Sequence, residues 1–230
     1  MHRDGLPSPS LKKPHMHNRI HRTFAVALVL GALLPGAVAA GQQPGWKEKT
    51  TKDGEVTVSY RFTEHEDQNG KKYNELEYEA VTRAETDLER CRKVMMDDSK
   101  HMAFMEGTEG VKRVKNLSES EWVTYYFLNS RWPMPDSDLV TRYTLEEDAS
   151  HKQFVLTGSP APDMYPEGDV PRMKYNQSKF TFTDQGNGII EITMYSRSIP
   201  LVSIPKWLIA SWIPNGPADM LHGIVDLANQ

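Results

Sequence analysis

The sequence predicts an α+β domain in which a curved antiparallel sheet packs around a long C-terminal helix. Apolar and polar residues alternate between Trp46 and Arg83 and again after Glu109, and this period of two is typical of half-buried strands. The period changes to that of an amphipathic helix from Thr86 to Asp97 and again near the C-terminus.

Residues 19–40 have the features of a cleavable export signal. Arg19 and Arg22 precede an apolar stretch, Pro35-Gly36 then break any helix, and Ala37-Val38-Ala39-Ala40 offers a cleavage site of small residues. The alternative is a membrane anchor, but a span needs about 20 apolar residues and the Pro-Gly pair interrupts this stretch. The pattern therefore favours a signal that is removed on export.

Two regions follow from this interpretation. We expect residues 1–40 to be the signal peptide, with Met16 as an alternative start, and the mature chain to begin at Ala40 or Gly41. Residues 41–230 are enough for one domain with a real core. No cysteine follows the cleavage site, which excludes a lipoprotein-type anchor there, so we expect a periplasmic or secreted domain that is free in solution.

The charge of the mature region limits its partners. Residues 41–230 contain 22 basic and 30 acidic residues, a formal net charge of −8. Such a surface repels nucleic-acid phosphates and anionic headgroups, so we expect a monomer with no nucleic-acid partner and at most transient membrane contact. Cys91 is the single cysteine, which excludes an intramolecular disulfide. The one compact basic cluster is interpreted as a solvated strand edge: Lys112, Arg113 and Lys115.

The first elements are strands followed by a short helix. The turn signals Asp53-Gly54 and Asn69-Gly70 separate alternating segments and predict two or three antiparallel strands. A capping box formed by Thr86 and Glu89 predicts the start of a helix that ends near Asp97. Its apolar face consists of Leu88, Cys91, Val94 and Met95.

After a second short helical segment at Ser99–Glu106, the period of two returns. The predicted strands are Val111–Leu117, Trp122–Arg131, Leu139–Glu146, Gln153–Thr157, Lys174–Thr183 and Ile189–Arg197. Between Gly158 and Arg172 the chain has four prolines, which predict an ordered loop rather than a strand. The last helices are predicted at Pro205–Trp212 and Pro217–Ala228, and the second has an apolar face that must cover part of the sheet.

Chemical motifs are sparse. The four histidines beyond the signal are isolated from one another and are interpreted as solvated, and the cluster of His15, His17 and His21 falls in the segment expected to be removed. The sequence has no nucleophile elbow, phosphate-binding loop or C-x-x-C pair. Cys91 is interpreted as a core residue. The carboxylate pairs Glu146-Glu147 and Asp136/Asp138 could serve acid/base work, but nothing in the sequence distinguishes them from a solvated surface. We therefore predict no catalytic residue, no cofactor and no metal site.

The apolar and aromatic strands leave two possibilities for the interior. A curved sheet that grips a helix can enclose a cavity suited to small apolar ligands. The alternative is an ordinary filled core. Composition alone leaves both open.

The segment Arg131-Trp132-Pro133-Met134-Pro135-Asp136-Ser137-Asp138-Leu139-Val140 resembles the START (steroidogenic acute regulatory protein-related lipid transfer) domains, whose bacterial members typically read P-W-P-x-x-D-R-D-x-V here. The order of strands and helices and the segment Ile204-Pro205-Lys206-Trp207-Leu208 are also similar. Ser137 replaces the usual arginine, and His101-Met102-Ala103-Phe104-Met105 replaces the tryptophan expected after the first helix, as in a divergent member.

The resemblance implies a helix-grip fold with a tunnel for one lipid or sterol-like molecule. It places the loop Gly158–Arg172 at the position of a lid, whose Met164 and Tyr165 would contact ligand or membrane. In the strand Leu139–Glu146 the more apolar alternate set should face the cavity, and its hydroxyl at Tyr143 would hold the polar head of a ligand. The predicted ligand-binding residues are Leu139, Thr141, Tyr143, Leu145, Phe180, Phe182, Ile190, Ile192, Met194, Leu221, Ile224 and Val225.

The sequence thus favours an exported lipid-binding protein without catalytic activity. One role open to such a protein is the transfer of its ligand across the envelope. Two alternatives stay open. One is a helix-grip enzyme of the cyclase or hydrolase type, which an inward-facing polar pair would favour. The other is an envelope interaction module with a filled core.

Overall fold

In the computed structural model, residues 45–129 and 134–230 are described. The export signal predicted in residues 1–40, with the cluster of His15, His17 and His21, lies outside the described residues. So do Arg131, Trp132 and Pro133 of the motif.

In the described residues ten strands form one sheet, and the predicted antiparallel architecture is confirmed. Their order is β1-β2-β3-β10-β9-β7-β6-β5-β4, every pairing along this path is antiparallel, and short β8 pairs in parallel with β6. The strands are β1 (Lys47–Thr50), β2 (Thr57–Glu66), β3 (Lys72–Glu85), β4 (Thr108–Asn116), β5 (Glu121–Leu128), β6 (Ser137–Asp148), β7 (Gln153–Pro160), β8 (Arg172–Met173), β9 (Asn176–Gly186) and β10 (Ile189–Ser198).

The helices lie between β3 and β4 and at the C-terminus. They are α1 (Leu88–Met96), α2 (His101–Phe104), α3 (Lys206–Trp212) and α4 (Asn215–Ala228), with 3₁₀ turns at Asp98–Lys100 and Pro162–Met164. Leu221 and Ile224 of α4 are fully buried, in agreement with the predicted apolar face. Gly223 lets α4 approach α2 closely, because a Cβ there would lie 2.8 Å from the Cβ of Phe104.

The start of α1 differs from the prediction. The side chain of Asp87 caps the helix by accepting a hydrogen bond from the backbone N–H of Arg90 (3.0 Å), so the predicted capping box of Thr86 and Glu89 is wrong. The reason is that Thr86 is still tied to the sheet, where its N–H donates to the carbonyl of Gly188 (3.0 Å). The helix therefore begins only after Asp87, and Glu89 pairs with Arg92 instead.

The sheet buries the face that the alternation predicts. All nine inward-facing residues predicted on β6, β9 and β10 are buried. At one end of the sheet the interior is filled, and Phe154 stacks on Phe182 with ring centroids 4.4 Å apart. The interior of this end also contains Leu156, Ile190, Ile192, Leu221 and Ile224, all at most 2% exposed.

The proline-rich segment is shorter than predicted. Strand β7 continues through Gly158 to Pro160, whose partner on β6 is Thr141, and Arg172 begins β8. Pro160 is the last residue of its strand, where a missing N–H interrupts little of the ladder. The loop proper therefore spans residues 161–171.

Candidate functional site

The other end of the sheet is not filled. An inner cavity of about 200 Å³ lies between the sheet, α2 and the start of α4, and an outer cavity of about 800 Å³ lies beneath α3. The two are adjacent and share six lining residues: Phe104, Glu106, Leu128, Met173, Ser198 and Met220. Together they have the size of a small-molecule site, which in proteins is about 300–1,000 Å³.

The space exists because side chains become small toward this end of the strands. The bulky pair Phe182 and Ile192 fills the interior on β9 and β10, whereas Ser178 and Ser196 face the cavity four residues away along the same strands. Gly158 is next to Ser178, and a Cβ at this glycine would lie 2.5 Å from the serine hydroxyl. The glycine and the serines leave the room that larger residues occupy elsewhere.

Four of the twelve predicted ligand-binding residues line the inner cavity: Leu139, Tyr143, Phe180 and Met194. The other eight are not among the lining residues of either cavity, and they pack in the interior: Thr141, Leu145, Phe182, Ile190, Ile192, Leu221, Ile224 and Val225. Alternation predicts which face a residue lies on. It does not predict where along the strand the covering helix leaves the sheet.

Methionine is the main apolar residue of the cavities. Of the nine methionines in the described part of the chain, six line them, five in the inner cavity and Met134 in the outer one alone. Thioether side chains are flexible and polarizable, so they adapt to irregular apolar ligands. The five inner residues are Met95, Met105, Met173, Met194 and Met220.

A row of polar groups crosses the sheet at the inner cavity. Consecutive register partners place Tyr143, Gly158, Ser178, Ser196 and Tyr78 side by side on five neighbouring strands. All of them except the glycine line the cavity. We call these five residues the hydroxyl row, since each of their side chains other than that of glycine ends in an uncharged hydroxyl.

His101 contradicts the interpretation of the histidines as solvated. It is 1% exposed, its Nε2 donates to the carbonyl of Met95 (3.0 Å), and its Nδ1 lies 2.6 Å from the hydroxyl of Tyr126. Burial lowers the pKa of His101, with the Met95 carbonyl opposing, so the neutral imidazole is favoured. The sequence signal was its spacing from Phe104, which lies on the same side of the short helical segment and contacts the His101 ring.

His101 lines the inner cavity, and two tyrosines lie beside it. The hydroxyls of Tyr126 and Tyr143 lie 2.9 Å apart, and Tyr143 belongs to the hydroxyl row. Burial raises the pKa of Tyr143 to about 12 and the pKa of Tyr126 well above its ordinary value. Both hydroxyls therefore stay protonated near neutral pH and can serve as hydrogen-bonding groups.

A buried carboxylate fixes α2 and its turn to the sheet. Asp98 accepts hydrogen bonds from the Trp122 indole (3.2 Å), the Thr124 hydroxyl (2.7 Å) and, on both oxygens, the guanidinium of Arg113. The Arg113 guanidinium also stacks 4.6 Å from the Trp122 ring centroid. Arg113 was predicted as part of a solvated cluster, and this is wrong because it neutralises a carboxylate that is 7% exposed.

The loop predicted as a lid lies on the other face of the sheet. Tyr165 packs against Tyr125, with ring centroids 4.8 Å apart, beside Val123 and Val140, which point away from the cavity. Neither Met164 nor Tyr165 is among the residues that line the two cavities. Opening this loop would not uncover the interior.

A buried ion pair holds that loop in place. The guanidinium of Arg172 pairs with both oxygens of Asp138 and donates to the carbonyls of Pro162, Tyr165 and Pro166. The side chains of Arg172 and Asp138 are 2% and 0% exposed. The sequence did not distinguish Asp138 from solvated surface, whereas in the structure it is buried under the loop as the ion-pair partner of Arg172.

The element that covers the outer cavity is α3. Leu208, Ile209 and Trp212 line the cavity from this helix, whereas Trp207 points outward and is 72% exposed. The C-terminal end of α3 is held by Lys49, whose Nζ donates to the carbonyls of Ala210 (2.7 Å) and Ile213 (3.0 Å). No residue of α3 is buried, which makes it the least anchored helix beside the site.

Charge at the cavities is of one sign. Glu106 lines both, and Glu109 and Asp219 line the outer one. Among the described lining residues there is no lysine or arginine. The same part of the chain also shows no cluster of three or more His, Cys, Asp or Glu that could hold a metal ion.

No protein-family model matches the sequence. An uncharacterized protein of Pseudomonas aeruginosa is 24% identical over 205 residues, which cover 88% of this chain and 96% of that protein. The crystal structure of a STAR-related lipid transfer protein from Xanthomonas axonopodis superposes with a TM-score of 0.67 at 19% identity, covering 81% of this chain and 99% of that one. Human StAR-related lipid transfer protein 5 superposes with a TM-score of 0.61 at 13% identity, covering 82% of this chain and 88% of that one. The chain therefore has the START, or helix-grip, fold that the motif implied.

Within residues 45–129 and 134–230, no helix is long and apolar enough to span a membrane.

Proposed function

We propose that this protein binds one lipid, sterol-like or other hydrophobic molecule in the two adjoining cavities and carries it outside the cytoplasm. The observation that carries the proposal is the inner cavity, lined by methionines and aromatic residues, that adjoins a larger cavity under a weakly anchored helix. Removing apolar surface from water contributes roughly 25 cal/mol per Å², which is ample to retain a lipid without catalysis. The two solved proteins of the same fold reported above are named for lipid transfer.

The inward-facing polar group is better suited to binding than to catalysis. A histidine beside two tyrosines is the kind of inward polar arrangement that an enzyme would use. However, the raised pKa values of Tyr143 and Tyr126 keep their hydroxyls protonated. The His101 ring is 1% exposed, and its lowered pKa keeps the imidazole neutral. Tyr143 and His101 both line the inner cavity, and Tyr126, which lies within hydrogen-bond distance of both, holds the Tyr143 hydroxyl in place as a hydrogen-bonding group for a ligand.

We propose α3 and the segment before it as the entrance. Leu201 and Val202 line the outer cavity next to α3, and the exposed Trp207 lies on the outer side of the same element. Tryptophan is enriched where proteins meet the membrane interface. Because the mature chain is acidic, contact with a membrane would depend on these apolar side chains and be transient.

Export is part of the proposal and has its own test. The signal pattern in residues 19–40 predicts that protein taken from the cell envelope begins at Ala40 or Gly41. Mass analysis of the intact envelope protein checks this. Retention of residues 16–39 would contradict export with cleavage.

The binding proposal is tested with N-phenylnaphthylamine, an uncharged probe whose fluorescence rises in apolar surroundings. We expect saturable uptake of one probe per chain and its displacement by lipids. Ser196→Phe, which fills the inner cavity, should reduce uptake strongly, and Thr193→Phe on the other face of the same strand is the matched control. Equal uptake by both variants would contradict binding in this cavity.

A further inference from the structure

The hydroxyl row offers a defined kind of contact to a ligand. Its side chains donate and accept hydrogen bonds without carrying charge, and Asn176 and Ser198, which are register partners, add two more neutral groups beside it. The methionines of the inner cavity surround these groups with apolar surface. An uncharged polar group such as a hydroxyl, ester or amide can satisfy its hydrogen bonds here.

A phosphate or carboxylate finds no lysine or arginine as a counter-charge among the described residues of this lining. Burying an anion is costly unless a cation or several strong donors compensate it, and the described lining contains carboxylates instead of lysine or arginine. Gly216 lines the outer cavity near the start of α4, where a helix carries about half a positive charge. That partial charge is small beside the carboxylates of Glu109 and Asp219.

From these observations we infer that the cavity selects amphiphiles with an uncharged polar group over amphiphiles of equal tail length that carry a phosphate or carboxylate. The inference rests on the proposed function, since it presumes that a hydrophobic molecule occupies the cavity. The specificity-determining features are the hydroxyl row, which accepts a neutral head, and the carboxylates of Glu109 and Asp219 in the outer cavity, which repel an anionic one.

Two lipids that differ by one phosphate test the inference. Monoolein and oleoyl lysophosphatidic acid share the tail and the glycerol, and oleic acid supplies a carboxylate head. The affinity of each lipid is measured by its displacement of N-phenylnaphthylamine from the purified protein, at lipid concentrations below the micellar concentration of that lipid. We expect monoolein to bind at least about tenfold more tightly than either anion.

Variants of the lining residues test whether these residues determine the preference for monoolein over the anionic lipids. Ser198 lines both cavities and is partly exposed, so Ser198→Lys adds a hydrated cation there and should reduce the preference for monoolein over lysophosphatidic acid by at least about threefold. Ser198→Gln, which adds length without charge, should keep the preference. Ser178→Ala combined with Ser196→Ala should weaken monoolein about fivefold and leave the affinity for N-phenylnaphthylamine unchanged.

The outcomes separate the inference from the proposed function. If lysophosphatidic acid or oleic acid binds as tightly as monoolein, or if Ser198→Lys and Ser198→Gln behave alike, the inference is wrong and the proposed function stands. If the probe is not taken up and no lipid binds, both are overturned. Thermal melts of each variant show that a lost affinity does not come from a lost fold.

Discussion

At the scale of single residues, the polar groups beside the cavity depend on burial. His101 was hard to interpret from the sequence because an isolated histidine in a short polar segment resembles a solvated one. In the structure it is the first residue of α2 and packs against Tyr126, and both of its ring nitrogens have partners. Its role is to fix the tyrosine pair whose outer member, Tyr143, faces the cavity.

The lowered pKa of His101 makes a prediction about pH. The unfolded chain takes up a proton near pH 6.5, while the folded chain resists it because the ring is buried. The unfolded state therefore binds more protons as the pH falls below 6.5, and the stabilisation present above that pH is lost. We expect the free energy of unfolding of the wild type to decrease more steeply between pH 7 and pH 5 than that of His101→Phe.

Denaturant titrations of both proteins across this range check the prediction. At pH 7, His101→Phe should itself be destabilised by about 1–3 kcal/mol, because the buried Tyr126 hydroxyl loses a partner. Tyr126→Phe with His101→Phe should cost less than the sum of the single variants. The same pH slope in wild type and variant would show that His101 does not titrate differently on folding.

At the scale of elements, the sequence predicted the strands well and their relation to the cavity less well. Alternation in β6 placed Leu139 and Tyr143 inward, and both line the cavity. Thr141 is inward as well, yet it packs against the strand that carries Gly158 and is 2% exposed. Whether a position is packed or open depends on which helix lies above it, and this is not encoded in the strand itself.

This difference predicts opposite effects of two enlargements. Thr141→Trp inserts a large ring into a packed region and should cost about 1–3 kcal/mol or more of unfolding free energy. Ser196→Phe fills open space, so it should lose ligand uptake at little cost in stability. Melting curves beside probe uptake measure both effects. A large loss of stability in Ser196→Phe would mean that the space around it is not open in solution.

The covering element was also assigned incorrectly from the sequence. Proline content drew attention to the loop between β7 and β8, but Arg172 and Asp138 fix that loop to the outer face. The helix α3 was predicted as a helix, but its position over the outer cavity follows from contacts distant in sequence. Its C-terminal carbonyls receive hydrogen bonds from Lys49 on β1, more than 160 residues away.

Releasing that contact should loosen the cover. Lys49→Met keeps the aliphatic length and removes both hydrogen bonds, so we expect faster ligand exchange with a small change in melting temperature. Lys47→Met, two residues away on the same strand at an exposed position, is the control. Stopped-flow exchange of N-phenylnaphthylamine compares them. Equal rates in the wild type and both variants would show that α3 does not limit exchange.

At the scale of the whole molecule, fold and cavity come from one arrangement. A ten-stranded sheet can be filled by α1 and α4 only over part of its length, and methionines with a hydroxyl row line the remainder. The motif around Asp138 indicated this fold from the sequence, although its described part forms the ion pair under the outer loop rather than part of the cavity. Fold was thus predictable from pattern and resemblance, whereas the position of the cavity required the packing.

Native mass spectrometry of the protein isolated from its own cell envelope tests the central claim most directly. The account predicts a species heavier than the mature chain by the mass of one hydrophobic molecule, which dissociates on activation and can be identified. This species should be absent from Ser196→Phe and present in Thr193→Phe. A wild-type protein that appears only at the mass of the bare chain, even after incubation with envelope lipids, would contradict the account.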